Sequence, residues 1–152
     1  MPARFFATVQ TRALAAGAAA LMVAGCTEMP DLGPQADYYS TRTQARIYVL
    51  DNGDFEVVPP IGAEGAAYWC AASDYARLRL QADYAQDLYV VKGRAPSTVT
   101  GRIDTITFSL NGVPRAEEPP FIRRSYSFKP GDSFSVSAAE SFCRDLQPYL
   151  LF

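Results

Sequence analysis

The densest run of groups able to hold an anion lies between Lys92 and Arg102. Its sequence, Lys-Gly-Arg-Ala-Pro-Ser-Thr-Val-Thr-Gly-Arg, carries three cations, three hydroxyls and two glycines. Guanidinium forks and exposed backbone N–H groups are good partners for phosphate or carboxylate. Lys92, Arg94, Ser97, Thr98 and Arg102 are therefore the candidate anion-binding residues, with Arg94 and Arg102 first among them. The run lacks Walker spacing and follows a strand without opening a helix, so it matches no phosphate motif. The plain alternative is a polar connection between two strands.

Other chemistry is poorly supplied. The chain has no histidine, which removes the commonest general base, metal ligand and pH switch. Serines are present without a GxSxG elbow or an SxxK pair, and a serine working with Lys92 or Lys129 has no motif behind it. Asp74, Asp83, Asp87 and Asp104 could in number supply the paired carboxylates of a glycoside hydrolase, but nothing in their spacing suggests a cleft. Asp51-Asn52-Gly53-Asp54 lacks the alternating ligands and distal glutamate of a calcium loop. No catalytic residue, metal ligand or cofactor motif is identified.

The N-terminus has a different character. Arg4 and Arg12 precede an apolar run from Ala13 to Ala24, and the small residues Ala24 and Gly25 lead into Cys26. A positive start, a short apolar middle and a small-residue end are the parts of a secretory signal. Twelve helical residues rise only about 18 Å, short of the roughly 30 Å of hydrocarbon that a spanning helix crosses. Val23-Ala24-Gly25-Cys26 resembles the lipobox of bacterial lipoproteins. The resemblance covers the first 26 residues and implies diacylglycerol transfer to the Cys26 thiol, cleavage after Gly25 and a lipid anchor. Thr27, not aspartate, follows the cysteine; in Gram-negative sorting this implies the outer membrane. Two or three acyl chains anchor stably where one is marginal.

With Cys26 given to lipid by that resemblance, Cys70 and Cys143 remain. An even number in an oxidising compartment reads as one disulfide. Two isolated thiols without histidine or CxxC spacing make a poor metal site. Removing residues 1–25 from 152 leaves 127, enough for one domain with a single core. The 14 basic and 16 acidic side chains become 12 and 16 without Arg4 and Arg12, a net charge near −4. This excess of acid argues against a nucleic-acid partner.

The elements that must position these residues follow in order. Residues 26–42, with Pro30, Gly33 and Pro34, read as a lipidated N-terminus and tether, and 43–152 as the folded domain. Ala45–Leu50 and Phe55–Val58 read as strands around Asn52-Gly53, whose positive φ angles suit a type I′ hairpin. Ala63–Leu80 is the best helix, with Trp69, Ala72, Ala76 and Leu80 along one stripe and Cys70 on its flank. Asp87–Lys92 reads as a buried strand. Ile103–Leu110 alternates, with Thr105, Thr107 and Ser109 on an exposed face. Ile122–Phe128 reads as a fifth strand. Ser137-Ala138-Ala139-Glu140 has capping-box spacing and opens a helix to about Leu146 that turns Cys143 inward. The prediction is an α+β fold: an antiparallel sheet of about five strands with two helices on one face, linked by Cys70–Cys143. The apolar tail Tyr149–Phe152 reads as tucked against the domain or docked in a partner.

From about Ala45 the chain is similar to small bacterial envelope lipoproteins with a Tyr-Trp-Cys-Ala-Ala helix start (Tyr68–Ala72) and a Gly-Arg-Ala-Pro-Ser loop (Gly93–Ser97); this resemblance implies no activity. The leading functional expectation is a lipid-anchored, non-catalytic binding or scaffolding module facing the periplasm. Its partners would be the membrane, through the anchor, and another envelope protein or cell-wall component. The second is an anionic-ligand sensor or carrier using residues 92–102. The third is an envelope hydrolase.

Overall fold

The computed structural model describes residues 33–114 and 126–146. Strands β1 (Tyr38–Ser40), β2 (Ala45–Val49) and β3 (Phe55–Val58) form an antiparallel meander. Helix α1 (Gly65–Leu78) then carries the chain across to β4 (Asp87–Ala95). Strand β5 (Thr105–Ser109) inserts between β3 and β4, and β6 (Ser133–Ser135) closes the far edge before helix α2 (Val136–Asp145). The order across the sheet is β1-β2-β3-β5-β4-β6, all antiparallel. The expected α+β architecture is correct, with six strands among the described residues instead of five.

Alternation builds the core. Ala45 and Ile47, Phe55 and Val57, Ile106 and Phe108, and Leu88 and Val90 face the helices from four neighbouring strands, with Phe134 of β6 beyond them. Trp69 of α1 is fully buried among Phe108, Phe128 and Phe134, at centroid distances of 5.1, 5.7 and 4.8 Å. It is the core anchor its helical stripe suggested, and its indole N–H has no hydrogen-bond acceptor in this aromatic box. Cys70 of α1 and Cys143 of α2 form the disulfide, with Cα atoms 4.9 Å apart. The bond ties together two helices that already pack side by side.

Several local expectations are corrected. The folded domain begins before residue 43, because Tyr38–Ser40 pairs with β2 and Asp37 is bonded to it through Ile47 O and Val49 N. The β2–β3 connection is not a type I′ turn. Only Gly53 has positive φ, and Leu50 exchanges bonds with Gly53 and Asp54, the pattern of a three-residue loop with a glycine bulge. Asn52 is recruited instead to cap the Asp54 N–H with its side chain. Thr105, Thr107 and Ser109 are buried, not exposed. The second face of the sheet centre is covered, and Tyr48, Glu56 and Val58 are buried beside them. The N-cap of helix α2 lies two residues before the predicted one. Ser135, not Ser137, accepts from Ala138 N, since the Ser137 N–H is already bonded to Tyr84 O.

Of the predicted fifth strand, Ile122 to Ser125 lie outside the described residues, and Tyr126–Ser127 are helical. Phe128 then adopts φ of 46°, which swings its ring under Trp69 and brings its carbonyl against Gly93. A Cβ on Gly93 would fall on that carbonyl oxygen, closer than real contacts allow. Gly93→Ala should therefore cost about 1–3 kcal/mol, as overpacking does; a urea midpoint equal to the parent's would remove this account of the glycine. Cys26, the N-terminal residues read as a signal and the tail Tyr149–Phe152 lie outside the described residues.

Candidate functional site

The 92–102 run is divided between two elements. Strand β4 continues through Ala95, so Lys92, Gly93 and Arg94 belong to the sheet, with register shifts on either side of Lys92. Residues 96–104 form the β4–β5 connection. Lys92 is exposed opposite Thr107. The five candidates do not converge on one external point.

Glu56 explains the loop. It sits in the middle of β3, on the face away from the helices, and is 1% exposed. A buried carboxylate needs donors, and residues 97–98 supply them. Ser97 Oγ donates to Glu56 Oε2 at 2.5 Å, while Thr98 N and Thr98 Oγ1 donate to Oε1 at 2.9 and 2.7 Å. Ser97 Oγ in turn accepts from the backbone N–H groups of Val99 and Thr100 at 3.1 and 2.9 Å. The loop is thus an anion cradle, and its anion is the chain's own Glu56. Burial pushes this carboxyl up, but donors from Ser97, Thr98 and Val99 outweigh it and hold it below the ordinary glutamate value. The strand that carries Glu56 was legible in sequence. The carboxylate's partner, 41 residues on, was not.

The two arginines are engaged differently. Arg94 Nη1 lies 2.9 and 3.1 Å from the Asp104 carboxylate oxygens, and its guanidinium sits 4.9 Å above the Tyr68 ring. Tyr68 donates to Asp104 O at 3.3 Å. Burial holds its phenol well above the usual tyrosine range, so it remains a neutral donor. Arg102 Nη2 donates to Pro59 O at 3.3 Å. It bridges the β4–β5 loop to the end of β3, and the Ser97 N–H closes the loop onto Arg102 O at 2.7 Å.

Ser97 beside Glu56 has the composition of a nucleophile and base without the function. Both are buried, the carboxylate is a weakened base, and the serine oxygen is occupied by two N–H donors. The carboxylates considered for hydrolysis are dispersed. Asp74 is buried with Ser40 Oγ at 2.8 Å and Arg42 at 3.5 Å; Asp104 holds Arg94. Asp83 accepts from the Ala85 N–H and Asp87 from the Tyr89 hydroxyl. Among the described residues no three His, Cys, Asp or Glu side chains cluster as a metal site, and no helix is long and apolar enough to cross a membrane.

A second feature lies along α2. An open cleft of about 530 Å³ is bounded by Arg42, Tyr84, Glu140 and Arg144, with Ser137, Ser141 and Cys143 along α2. Its charges are loosely paired within the chain, Arg42 to Glu140 at 3.6 Å and Arg77 to Glu140 at 3.9 Å.

Comparison with known proteins finds no matching family model, no similar curated protein and no similar solved structure.

Proposed function

We propose that this chain is a lipid-anchored protein of the bacterial cell envelope, a disulfide-stapled binding or scaffolding module without catalysis. The observation that carries the reading is the cysteine arithmetic. Three cysteines are present, and the Cys70–Cys143 bond takes two of them. The third, Cys26, stands at the end of a short apolar run behind two small residues. A structural disulfide belongs to an oxidising compartment, which agrees with export by that same N-terminal segment.

The Cys26 thiol would lose its proton and attack the diacylglyceryl carbon of a membrane phospholipid, forming a thioether as the C–O bond to the phosphate breaks and the phosphorylated headgroup leaves with that proton; hydrolysis of the Gly25–Cys26 peptide bond would then make Cys26 the first residue. Thr27 favours the outer membrane, with the domain facing the periplasm. The anionic-ligand alternative is disfavoured because Ser97 and Thr98 spend their donors on Glu56. A hydrolase is disfavoured by the dispersal of the carboxylates.

The test is fractionation of cells carrying the parent chain or Cys26→Ala. The parent should sediment with membranes, require detergent for release and carry acyl mass on its N-terminal peptide. Cys26→Ala should lose all three. A Cys26→Ala chain that stays membrane-bound without detergent would sink the lipid reading. Crosslinking in the same cells identifies the neighbour: a partner captured by the parent and lost with the anchor is what a scaffolding module predicts.

A further inference from the structure

We infer that Ile61 and Ile103 form a docking ridge for the bilayer surface that holds the anchor, an inference that rests on the lipid reading above. The two are the most exposed large apolar residues described, at 92% and 82%. They are brought to one end of the sheet by its register. Val57 pairs with Ile106, so the antiparallel ladder continued outward sets residue 60 opposite 103. Ile61 occupies the tip of a turn closed by Ala63 N to Pro60 O, with Gly62 at φ of 83°. Arg102 ties the two loops through Pro59 O. The Glu56 cradle pins residues 97–98 and so fixes the base of the Ile103 loop. This is a pre-organised apolar pair on two braced loops, not a floppy tip.

Lipid is the occupant that size and charge favour. A stable protein interface buries roughly 1,600 Å² in total, far more than two isoleucines and Pro60 supply. A tethered domain needs much less, since a short tether holds it at an effective concentration on the order of millimolar. Cations surround the ridge: exposed Arg46 beside Val58, Arg102 beneath Ile103, and Arg94 paired with Asp104. The nearby acids are Glu64, exposed, and Asp104, whose charge Arg94 balances, so Arg46 and Arg102 leave a positive excess. Cations flanking apolar tips suit a phosphate-bearing interface.

The opposite end also exposes apolar groups, Leu78, Leu80 and Tyr84, but Asp37, Asp51, Asp83 and Asp87 are exposed there too. Those carboxylates oppose an anionic surface. The chain enters the sheet at that acidic end, through Asp37. Ten residues lie between it and Cys26, and the eleven Cα-to-Cα steps span at most about 40 Å. The β3 strand adds only about 13 Å between the two ends, so the anchor reaches with the ridge turned to the membrane.

The test uses the processed, acylated chain in phosphatidylethanolamine–phosphatidylglycerol vesicles. An environment-sensitive fluorophore is placed at Pro60→Cys or, as the opposite-end control, at Leu78→Cys. The label at position 60 should shift to the blue and be quenched by lipids carrying a spin label on the acyl chain; the label at 78 should behave as in water. Adding Ile61→Asp and Ile103→Asp should return position 60 to water-like emission while acylation, vesicle sedimentation and thermal unfolding stay as in the parent. Water-like emission at 60 in acylated, vesicle-bound protein overturns the ridge and leaves the anchor intact. Equal quenching at 60 and 78 also overturns it. A blue shift that grows with protein concentration without vesicles assigns the ridge to a second copy and overturns the lipid proposal. Absence of acyl mass or of sedimentation overturns the lipid reading itself.

Discussion

Replacing Glu56 with alanine should destabilise the domain by about 3–5 kcal/mol. Three donors converge on this buried carboxylate, from Ser97 Oγ, Thr98 N and Thr98 Oγ1. A hydrogen bond to a charged group contributes about 1.5–3 kcal/mol, and each buried donor left unmet costs about 1–3 kcal/mol. The sum is reduced because Thr98 is exposed and water can replace part of what it loses. Glu56→Gln keeps the shape but sets an NH₂ group against donors, and should cost about 1.5–3 kcal/mol. The two variants thus separate charge from packing, read as shifts in the urea midpoint. Amide exchange should accelerate at Thr98, Val99 and Thr100, whose N–H groups rely on Glu56 or on the Ser97 oxygen it orients.

The same group predicts a pH dependence with a definite sign. Its folded pKa lies below the ordinary value, near 4.3 when unfolded. The unfolded chain then binds the proton first, so stability is full above that unfolded value. It declines as pH falls from there through the lowered folded value. Glu56→Gln should flatten this acid limb. An unaltered midpoint in Glu56→Ala, or an acid limb identical in Glu56→Gln, would show that the cradle is ornamental.

How much of this was legible in sequence depends on range. The strand-like runs flanking Asn52-Gly53 and the alternation along Ile103–Leu110 marked strands, and the Trp69 stripe marked α1, because those signals are local. The anion-holding character of Ser97-Thr98 was legible too, but its anion was not. Glu56 lies 41 residues earlier and meets the loop only once β5 has inserted beside β3. For the same reason Thr105, Thr107 and Ser109 read as a solvent face: polar residues alternating with apolar ones look alike over water and over a polar second layer. The three-residue strands β1 and β6 are too short to carry a period, and they exist because β2 and β4 offer unpaired edges. At Ser137 the capping-box pattern misled because the Tyr84 carbonyl, remote in sequence, already holds its N–H.

Removing the disulfide as Cys70→Ala with Cys143→Ala should have an effect of similar size, reached by a different route. The bond closes a 73-residue loop, and the chain-entropy relation assigns roughly 4 kcal/mol to that length. This acts chiefly on the unfolded chain, since α1 and α2 pack along each other without it. Two observables should therefore move together. The urea midpoint should fall, and the slope m should rise, because an unlinked denatured chain exposes more surface. Glu56→Ala should lower the midpoint with m unchanged, so the pair of variants distinguishes loss in the native state from loss of restraint in the denatured one. Parent protein unfolded under a strong reductant should follow the double-alanine curve. A midpoint for Cys70→Ala/Cys143→Ala equal to that of the oxidised parent would show that the bond contributes nothing. Domains of this size hold only about 5–15 kcal/mol in all, so a loss of 4 leaves a thin margin. A chain that depends on the bond to that extent would lose much of its margin where cysteines are kept reduced, which is in keeping with the envelope location proposed above for an acylated Cys26.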